Sequence, residues 1–296
     1  MTKKGIRFVE LAIATFLHVL AAIASLALIS SGLAVIFGMM RVINLAHGEF
    51  IMLGGFATIY ATRLGLNIWI AIFVVAPLVV AVIGFVLERL VIRHLYGRLI
   101  DTMLATWGLS LALIGAATMI FGNRVEGVAA PLGGLAIGQY SVSLYEQVEV
   151  VVVLLLLAAG YLVLKYTEIG LIARATMQNP AMSASLGVDP TRVYSITFCI
   201  GAALSGLAGG MLAPLSGVVP TMGVAYVARA FITVITGGVS IIVGTALSSS
   251  LLATIGTVAT MLTTPVIGDV VLLVAAIVLL RILPKGITGS IFRGAP

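Results

Sequence analysis

The chain has 296 residues, of which 61% are hydrophobic and only 9% are charged, and its mean hydropathy is +1.24. Ordinary globular domains carry about 25% charged residues, so this composition excludes a soluble domain and indicates a polytopic membrane protein. The net charge of +6 does not indicate nucleic-acid binding, because most lysines and arginines form four clusters that lie beside the ends of apolar runs.

These four basic clusters predict the topology, because cytoplasmic segments of membrane proteins are enriched in lysine and arginine. We expect all four clusters, and therefore both termini, to lie on the cytoplasmic side. The clusters are Lys3, Lys4 and Arg7; Arg89, Arg93 and Arg98; Lys165, Arg174 and Arg192; and Arg281, Lys285 and Arg293.

The first part of the chain predicts one spanning helix over residues 8–29, since about 20 apolar residues cross a bilayer. Residues 68–87 form a second apolar run, which must cross inward to reach the basic cluster at Arg89. Residues 30–64 then make no net crossing. We predict that they form a broken, re-entrant pair whose bend is the polar stretch at residues 41–50.

That polar stretch, RVINLAHGEF, places Arg41, Asn44, His47 and Glu49 between two apolar runs. A charge at membrane depth costs several kcal/mol, about 3 on insertion scales, unless it finds a partner or a water-filled cavity. In one interpretation Arg41 pairs with Glu49 and Asn44 holds the broken backbone. In the other, the four residues contact a polar solute. A metal site is disfavoured, because the other histidines are distant in sequence.

The middle of the chain predicts crossings over residues 99–121 and 148–164. An external loop at residues 122–147 joins them and contains a short hairpin beside a turn at Gly133 and Gly134. The cytoplasmic loop at residues 165–192 contains a two-turn helix over residues 180–186. Asn179-Pro180 is typical of a helix start, and Gly187 is typical of a helix end. Such a short helix needs a partner or the membrane surface for order.

The last part predicts a crossing over residues 193–215, with Ala202, Gly206 and Gly210 as a seam for close helix packing. Residues 226–284 contribute an odd number of crossings and are interrupted at Gly237-Gly238, which predicts a second broken element. Two interrupted segments in corresponding places indicate a transport path. Arg229, inside the second segment, either extends toward the outer interface or contacts solute.

The predicted fold is therefore an all-α polytopic membrane protein with about eight transmembrane helices, including broken or re-entrant segments, and two pseudo-repeated halves. It forms a single transmembrane domain over residues 1–296. The sequence lacks a phosphate-binding loop, a zinc-protease motif and a nucleophile elbow, so we expect no catalytic residues, no metal site and no enzymatic activity in this chain.

Two separate stretches resemble one known family. GLAVIFGMMRVINLAHGEFIMLGG, at residues 32–55, resembles the signature of LivH/LivM-type permeases of branched-chain amino acid ABC importers. GLIARATMQNPAMSASLGVDPTRV, at residues 170–193, resembles the cytoplasmic coupling loop of the same family. The resemblance covers essentially the whole chain and implies an inner-membrane permease subunit.

The resemblance also implies partners and residue roles. The partners would be a second, LivM-like permease subunit, two ATP-binding subunits that use the ATP and Mg²⁺, and an external solute-binding protein. This chain would bind no cofactor and no nucleic acid. The substrate-path candidates are Arg41, Asn44, His47, Glu49 and Arg229. The residues that dock to the ATP-binding subunit are Arg174, Asn179, Ala181, Ala184 and Gly187.

The sequence leaves alternatives open for the transported solute and for the class of protein. Residues 95–113 resemble the urea and short-amide branch of the family, whereas Arg229 and its neighbours resemble the amino-acid branch. A stand-alone secondary transporter would need more acidic residues within its spans than Glu10 and Glu49. An intramembrane enzyme would need a converging nucleophile and base, and the sequence indicates none.

Overall fold

The computed structural model describes residues 3–238 and 240–291, and this part of the chain is almost entirely helical. Within it, seven helices are long and apolar enough to cross a membrane, and a shorter apolar helix covers Gly223–Gly237. The predicted polytopic all-α fold is confirmed, while the predicted repeat of two halves and the single-domain boundaries stay predictions.

The helices and strands follow one another through the described residues in this order: α1 (Lys3–Met40), α2 (His47–Arg63), α3 (Ile68–Ile70), a π-helical turn (Ala71–Val75), α4 (Ala76–Leu90), a 3-10 turn (Ile92–Leu95), α5 (Leu99–Phe121), β1 (Gly134–Ile137), β2 (Tyr140–Ser143), α6 (Leu144–Tyr166), α7 (Glu168–Gln178), α8 (Pro180–Ser185), α9 (Pro190–Ser216), α10 (Gly223–Gly237), α11 (Ile241–Leu262), α12 (Pro265–Ile282) and α13 (Gly286–Ile291).

The first helix is longer than the sequence predicted. α1 has 38 residues, so it is about 57 Å long at 1.5 Å per residue. The prediction of a spanning helix that ends at residue 29 and a separate re-entrant arm is wrong. Ser30 and Ser31 do not break the helix, because the Ser31 hydroxyl donates to the Leu28 carbonyl at 2.8 Å within the same turn. The predicted break at the polar stretch is confirmed, since residues 41–46 are not helical.

One end of the helical bundle, here called the hairpin end, consists of residues 122–143 and the first turns of α1. The Glu10 carboxylate lies against Gly138 in the hairpin turn. His18 Nδ1 lies 3.6 Å from Glu146 Oε2 in the first turn of α6. α1 therefore starts at the hairpin end and runs to the opposite end.

The opposite end, here called the basic end, consists of residues 91–98, 165–192 and 281–288. The rings of Tyr96 and Tyr194 are 5.2 Å apart there, and the Thr288 hydroxyl donates to the Gly237 carbonyl at 2.6 Å. The two ends of the described chain thus lie at opposite ends of the bundle, and the prediction that both termini share one side is wrong. The first basic cluster belongs to the start of α1, because α1 crosses in the opposite direction. Arg293 lies outside the described residues.

The predicted hairpin is confirmed, although its turn lies elsewhere. β1 and β2 pair in antiparallel register, with Ile137 opposite Tyr140. The turn is formed by Gly138 and Gln139, and Gly138 has a φ of +60° that favours glycine. The Gly133-Gly134 pair instead leads into β1.

α9 lies at the centre of the bundle and packs against α1, α2 and α4. The predicted seam on this helix is confirmed. A Cβ atom added at Gly206 would lie 2.6 Å from the Ala76 carbonyl oxygen, and one added at Gly210 would lie 2.8 Å from the Thr58 hydroxyl. The small residues therefore allow the helices to approach closely without a side chain between them.

The predicted second broken element is also confirmed. α10 ends at Gly237, and Gly238 leaves the helix with a φ of +85°. α11 begins at Ile241, and the backbones of Gly237 and Gly244 approach closely. α10, α11 and α12 supply the odd number of crossings expected from this part of the chain.

Candidate functional site

The break between α1 and α2 is held by hydrogen bonds to its backbone. The Asn44 side-chain oxygen accepts from the Ala46 amide at 3.1 Å, which forms a local turn. The Thr106 hydroxyl on α5 accepts from the Leu45 amide at 3.1 Å. Asn44 is buried, and Arg41 is exposed with a φ of +52°. Asn44 therefore holds the broken backbone, in agreement with one of the two sequence interpretations.

His47, the first residue of α2, joins three helices and is fully buried. Its Nε2 lies 2.8 Å from the Ile29 carbonyl oxygen of α1, and its Nδ1 lies 3.1 Å from the Ser205 hydroxyl of α9. A neutral imidazole satisfies both contacts if Nε2 carries the proton and donates to Ile29 while Nδ1 accepts from Ser205, whose one hydroxyl proton is then shared with the Gly201 carbonyl oxygen at 2.8 Å. Both ring nitrogens are thus occupied by protein groups.

Glu49 is fully buried in the first turn of α2, and no residue in the part of the chain that the structure describes forms an ion pair with it. Neither carboxylate oxygen has a hydrogen-bond partner of normal geometry, although the Ser110 hydroxyl lies nearby on α5. The predicted pairing of Arg41 with Glu49 does not occur, because Arg41 lies at the end of α1, outside the buried region. Negative charge at this position is favoured by the positive end of the α2 dipole.

The two broken elements meet directly beside Glu49. A Cβ atom added at Gly48 would lie 1.9 Å from the Gly223 carbonyl oxygen, so the backbones of α2 and α10 touch where both helices begin. α2 ends at the hairpin end, where Arg63 pairs with Glu126, and α10 ends at the basic end. The sequence predicted two interrupted segments, and the structure brings their starting points together inside the bundle.

Arg229 lies apart from the buried residues 44–49, on α10. Its Nη2 atom lies 2.6 Å from Asp269 Oδ2 on α12, and both side chains are partly exposed. Arg229 therefore does not extend freely to the outer interface, and Asp269 is paired with it across two helices.

The predicted helix at the basic end is confirmed as α8. The Asn179 side chain accepts from the Met182 amide at 3.0 Å, and Gly187 ends the helix with a φ of +87°. Ala181 and Ala184 are exposed, and so is the large apolar side chain of Leu186. α8 thus presents an uncovered apolar surface at the basic end.

Arg174, the fifth predicted residue of this region, lies on the preceding helix α7. Its guanidinium donates to the Leu164 carbonyl in α6. Arg174 therefore holds α7 against the end of α6 and does not lie on the exposed surface of α8.

Sequence reasoning missed two fully buried carboxylates, Glu88 on α4 and Glu149 on α6. Glu88 accepts from the Tyr96 hydroxyl at 2.5 Å, and Glu149 accepts from the Ser25 hydroxyl at 2.9 Å. Glu88 directly follows one long apolar run and Glu149 directly precedes another, and that placement was the available signal. The spans therefore contain more acidic groups than Glu10 and Glu49.

Comparisons with known proteins place these features in one family. A family model described as the permease component of branched-chain amino acid transport systems matches residues 15–283. No solved structure matches this chain.

Individual relatives are similar over nearly their whole length. LivH of Salmonella typhimurium, a high-affinity branched-chain amino acid transport system permease protein, is 28% identical over 284 residues, which cover 89% of this chain and 91% of the relative. BraD of Pseudomonas aeruginosa, of the same description, is 30% identical over 284 residues with the same coverage. A probable LivH of Methanocaldococcus jannaschii is 28% identical over 280 residues, with 89% and 88% coverage.

Proposed function

This chain belongs to the family of permease components of branched-chain amino acid transport systems, and on that premise we propose that it is the membrane-spanning permease subunit of an ABC importer for branched-chain or similar small amino acids. The observation that carries the proposal is the combination of this family match with two broken helices that meet at Gly48 and Gly223. The chain is a multi-pass membrane protein and provides a path for solute, while ATP hydrolysis belongs to separate subunits.

The orientation of the helical bundle in the membrane follows from the distribution of its lysines and arginines. Seven lysines and arginines of the described chain lie at the basic end, more than at the hairpin end, so this end faces the cytoplasm. The hairpin end then faces outward, together with the start of α1. A short N-terminal segment with three basic residues does not outweigh the larger number at the basic end.

The partners are a second permease subunit, two ATP-binding subunits and an external solute-binding protein. The exposed apolar surface of α8 supports a docking role at the cytoplasmic side, since the side chains of Ala181, Ala184 and Leu186 are exposed in the described part of the chain. Of the substrate-path candidates Arg41, Asn44, His47 and Glu49, Glu49 is the one for which we propose direct contact with solute, while Asn44 and His47 hold the broken backbone. The buried carboxylate of Glu49 lies at the meeting point of α2 and α10 without a hydrogen-bond partner among the described residues.

The proposed function is tested by measuring the uptake of labelled leucine, isoleucine and valine into cells or vesicles that contain this chain with its partner subunits. We expect ATP-dependent uptake that stops when ATP is depleted and persists when ion gradients are collapsed. Uptake of urea or acetamide in place of amino acids would support the alternative substrate class. Uptake that follows an ion gradient and needs no ATP would overturn the proposal in favour of a secondary transporter.

A further inference from the structure

A cavity of about 370 Å³ lies between α1, α10, α11 and α12, toward the hairpin end of the bundle. Its position follows from its walls. Asp269 lies near the start of α12 and Thr260 near the end of α11, and these helix ends meet at the hairpin end. The deeper wall includes Ile29, the residue whose carbonyl contacts His47. The cavity therefore extends from the hairpin end toward the place where the helices are broken.

The cavity lining includes one positive side chain, Arg229 on α10, and one negative side chain, Asp269 on α12. Arg229 Nη2 and Asp269 Oδ2 are 2.6 Å apart, and their side chains remain 38% and 50% exposed. A guanidinium binds a carboxylate through paired hydrogen bonds, and a carboxylate binds an ammonium group. The pair thus offers complementary contacts to a molecule that carries both charges, such as a free amino acid.

A third polar group supports the ammonium contact. The Ser25 hydroxyl lines the cavity and donates its proton to Glu149 Oε1 at 2.9 Å. The serine oxygen keeps its lone pairs and can still accept a hydrogen bond. An ammonium group has three protons to donate, and Asp269 together with Ser25 provides two acceptors.

The remaining wall is apolar and suits an aliphatic side chain. Leu26, Ala253 and Leu272 belong to one buried hydrophobic cluster and line the cavity with Ile29. Burial of a branched aliphatic side chain against such a wall is favourable, because it removes apolar surface from water. Urea and short amides carry no charges for the ion pair and no aliphatic group for this wall.

We propose that this cavity is an acceptor site for a zwitterionic amino acid with an aliphatic side chain. Arg229 holds the carboxylate, Asp269 and Ser25 hold the ammonium group, and the apolar wall receives the side chain. The assignment rests on the proposed function for its substrate class. In the structure Arg229 and Asp269 pair with each other, and binding replaces that contact with two contacts to the solute.

The first test uses the complete transporter in lipid nanodiscs without the external binding protein, so that only the permease can bind the probe. Thermal unfolding is measured with leucine, leucinamide and isocaproate. Leucinamide lacks the carboxylate and isocaproate lacks the ammonium group. We expect leucine alone to raise the unfolding midpoint of this chain. Equal shifts with all three compounds, or none with leucine, would overturn the assignment.

The second test compares leucine uptake by vesicles that contain Arg229→Gln, Asp269→Asn or the wild-type chain. We expect each variant to lose about tenfold or more of its uptake rate per folded transporter, equivalent to the loss of one charged contact. Arg63→Gln is the matched control, because it removes an arginine–carboxylate pair with Glu126 at the same end of the bundle but outside the cavity. Its uptake per folded transporter should equal that of the wild type.

The exchange variant R229D/D269R separates solute binding from a structural role. If the pair only holds α10 against α12, the exchange restores both folding and uptake, and the assignment is wrong. If the pair binds solute, the exchange restores folding but not uptake, because the two charges no longer match the apolar wall. If the exchange variant does not fold, the thermal-unfolding comparison of leucine, leucinamide and isocaproate on the wild-type chain decides whether the cavity binds the amino acid.

The failure of this assignment is distinguishable from failure of the proposed function. Wild-type vesicles that take up none of the branched-chain amino acids would contradict the proposed function itself. Normal wild-type uptake that survives in both Arg229→Gln and Asp269→Asn would contradict only the cavity assignment.

Discussion

Gly48 and Gly223 touch through their backbones at the point where α2 and α10 begin, and each helix then runs to a different end of the bundle. A Cβ atom at Gly48 would lie 1.9 Å from the Gly223 carbonyl oxygen, and one at Gly223 would lie 2.6 Å from the Gly48 carbonyl carbon. No side chain fits between them. Any movement of one short helix therefore acts on the other without an intervening flexible group.

We expect Gly48→Ala to destabilise the chain by about 2 kcal/mol, because the added methyl group meets backbone that cannot rotate away. Thermal unfolding of the purified transporter would measure this as a lower midpoint. Gly115→Ala on α5 is the matched control, since nothing lies within 4 Å of its added Cβ atom. That variant should be neutral or slightly stabilising, because alanine favours helix over glycine by about 1 kcal/mol. Equal midpoints for the two variants would contradict the close contact.

The second prediction concerns His47, whose two ring nitrogens contact Ile29 and Ser205. Since both contacts are to the protein, His47→Leu should lower stability by about 1–2 kcal/mol, while uptake per folded molecule stays within about twofold. Ser205→Ala and the double variant complete a mutant cycle, in which we expect the two effects to be less than additive. A normally stable His47→Leu chain with strongly reduced uptake would instead favour direct contact with solute.

The third prediction concerns the pH dependence of the hairpin end. Glu126 lies outside the membrane-spanning helices and pairs with Arg63 and Arg124, and these two guanidinium groups hold the pKa of its carboxyl below the ordinary value of 4.5. A lowered pKa in the folded state means that the ionised form stabilises the fold. The stabilisation is complete above the unfolded pKa and is lost as the pH falls through the lower, folded value.

Glu126→Gln removes the ionisable group and tests the predicted direction of the pH dependence of stability. We expect the variant to have a lower unfolding midpoint than the wild type from about pH 8 to 6, with a constant difference. The difference should shrink below about pH 4, where the wild-type carboxyl also becomes neutral. A difference that grows as the pH falls would show that the carboxyl is not stabilised in its ionised form.

Local features of this fold were predictable from sequence because they depend on neighbouring residues. The start of α8 follows from Asn179-Pro180 and its end from Gly187, and each acts within one helical turn. The break at residues 41–46 was predictable because its polar groups interrupt two apolar runs. The substrate-path role of these residues stays a prediction.

Long-range features were not predictable in the same way. Arg229 and Asp269 are 40 residues apart and meet only because α10 packs beside α12. The length of α1 was misjudged because counting crossings treats Ser30-Ser31-Gly32 as a boundary, whereas the Ser31 hydroxyl bonds to the Leu28 carbonyl within the helix and leaves it intact. That one error also reversed the predicted side of the N-terminal segment.

The last prediction tests docking through α8. Ala184 is exposed and lies between the Asn179 cap and Gly187, so glutamate at this position leaves the fold of the chain intact. If α8 docks into an ATP-binding subunit, an unpaired carboxylate in that interface costs binding energy, and ATP hydrolysis is no longer transmitted to the helices. We therefore expect Ala184→Glu to retain ATPase activity while leucine uptake falls by about tenfold or more. Gln139→Glu adds the same charge at the exposed hairpin turn and should leave both activities unchanged. Unchanged uptake and ATPase activity in both variants would show that docking occurs elsewhere, because only a contact surface makes the position of the new charge matter.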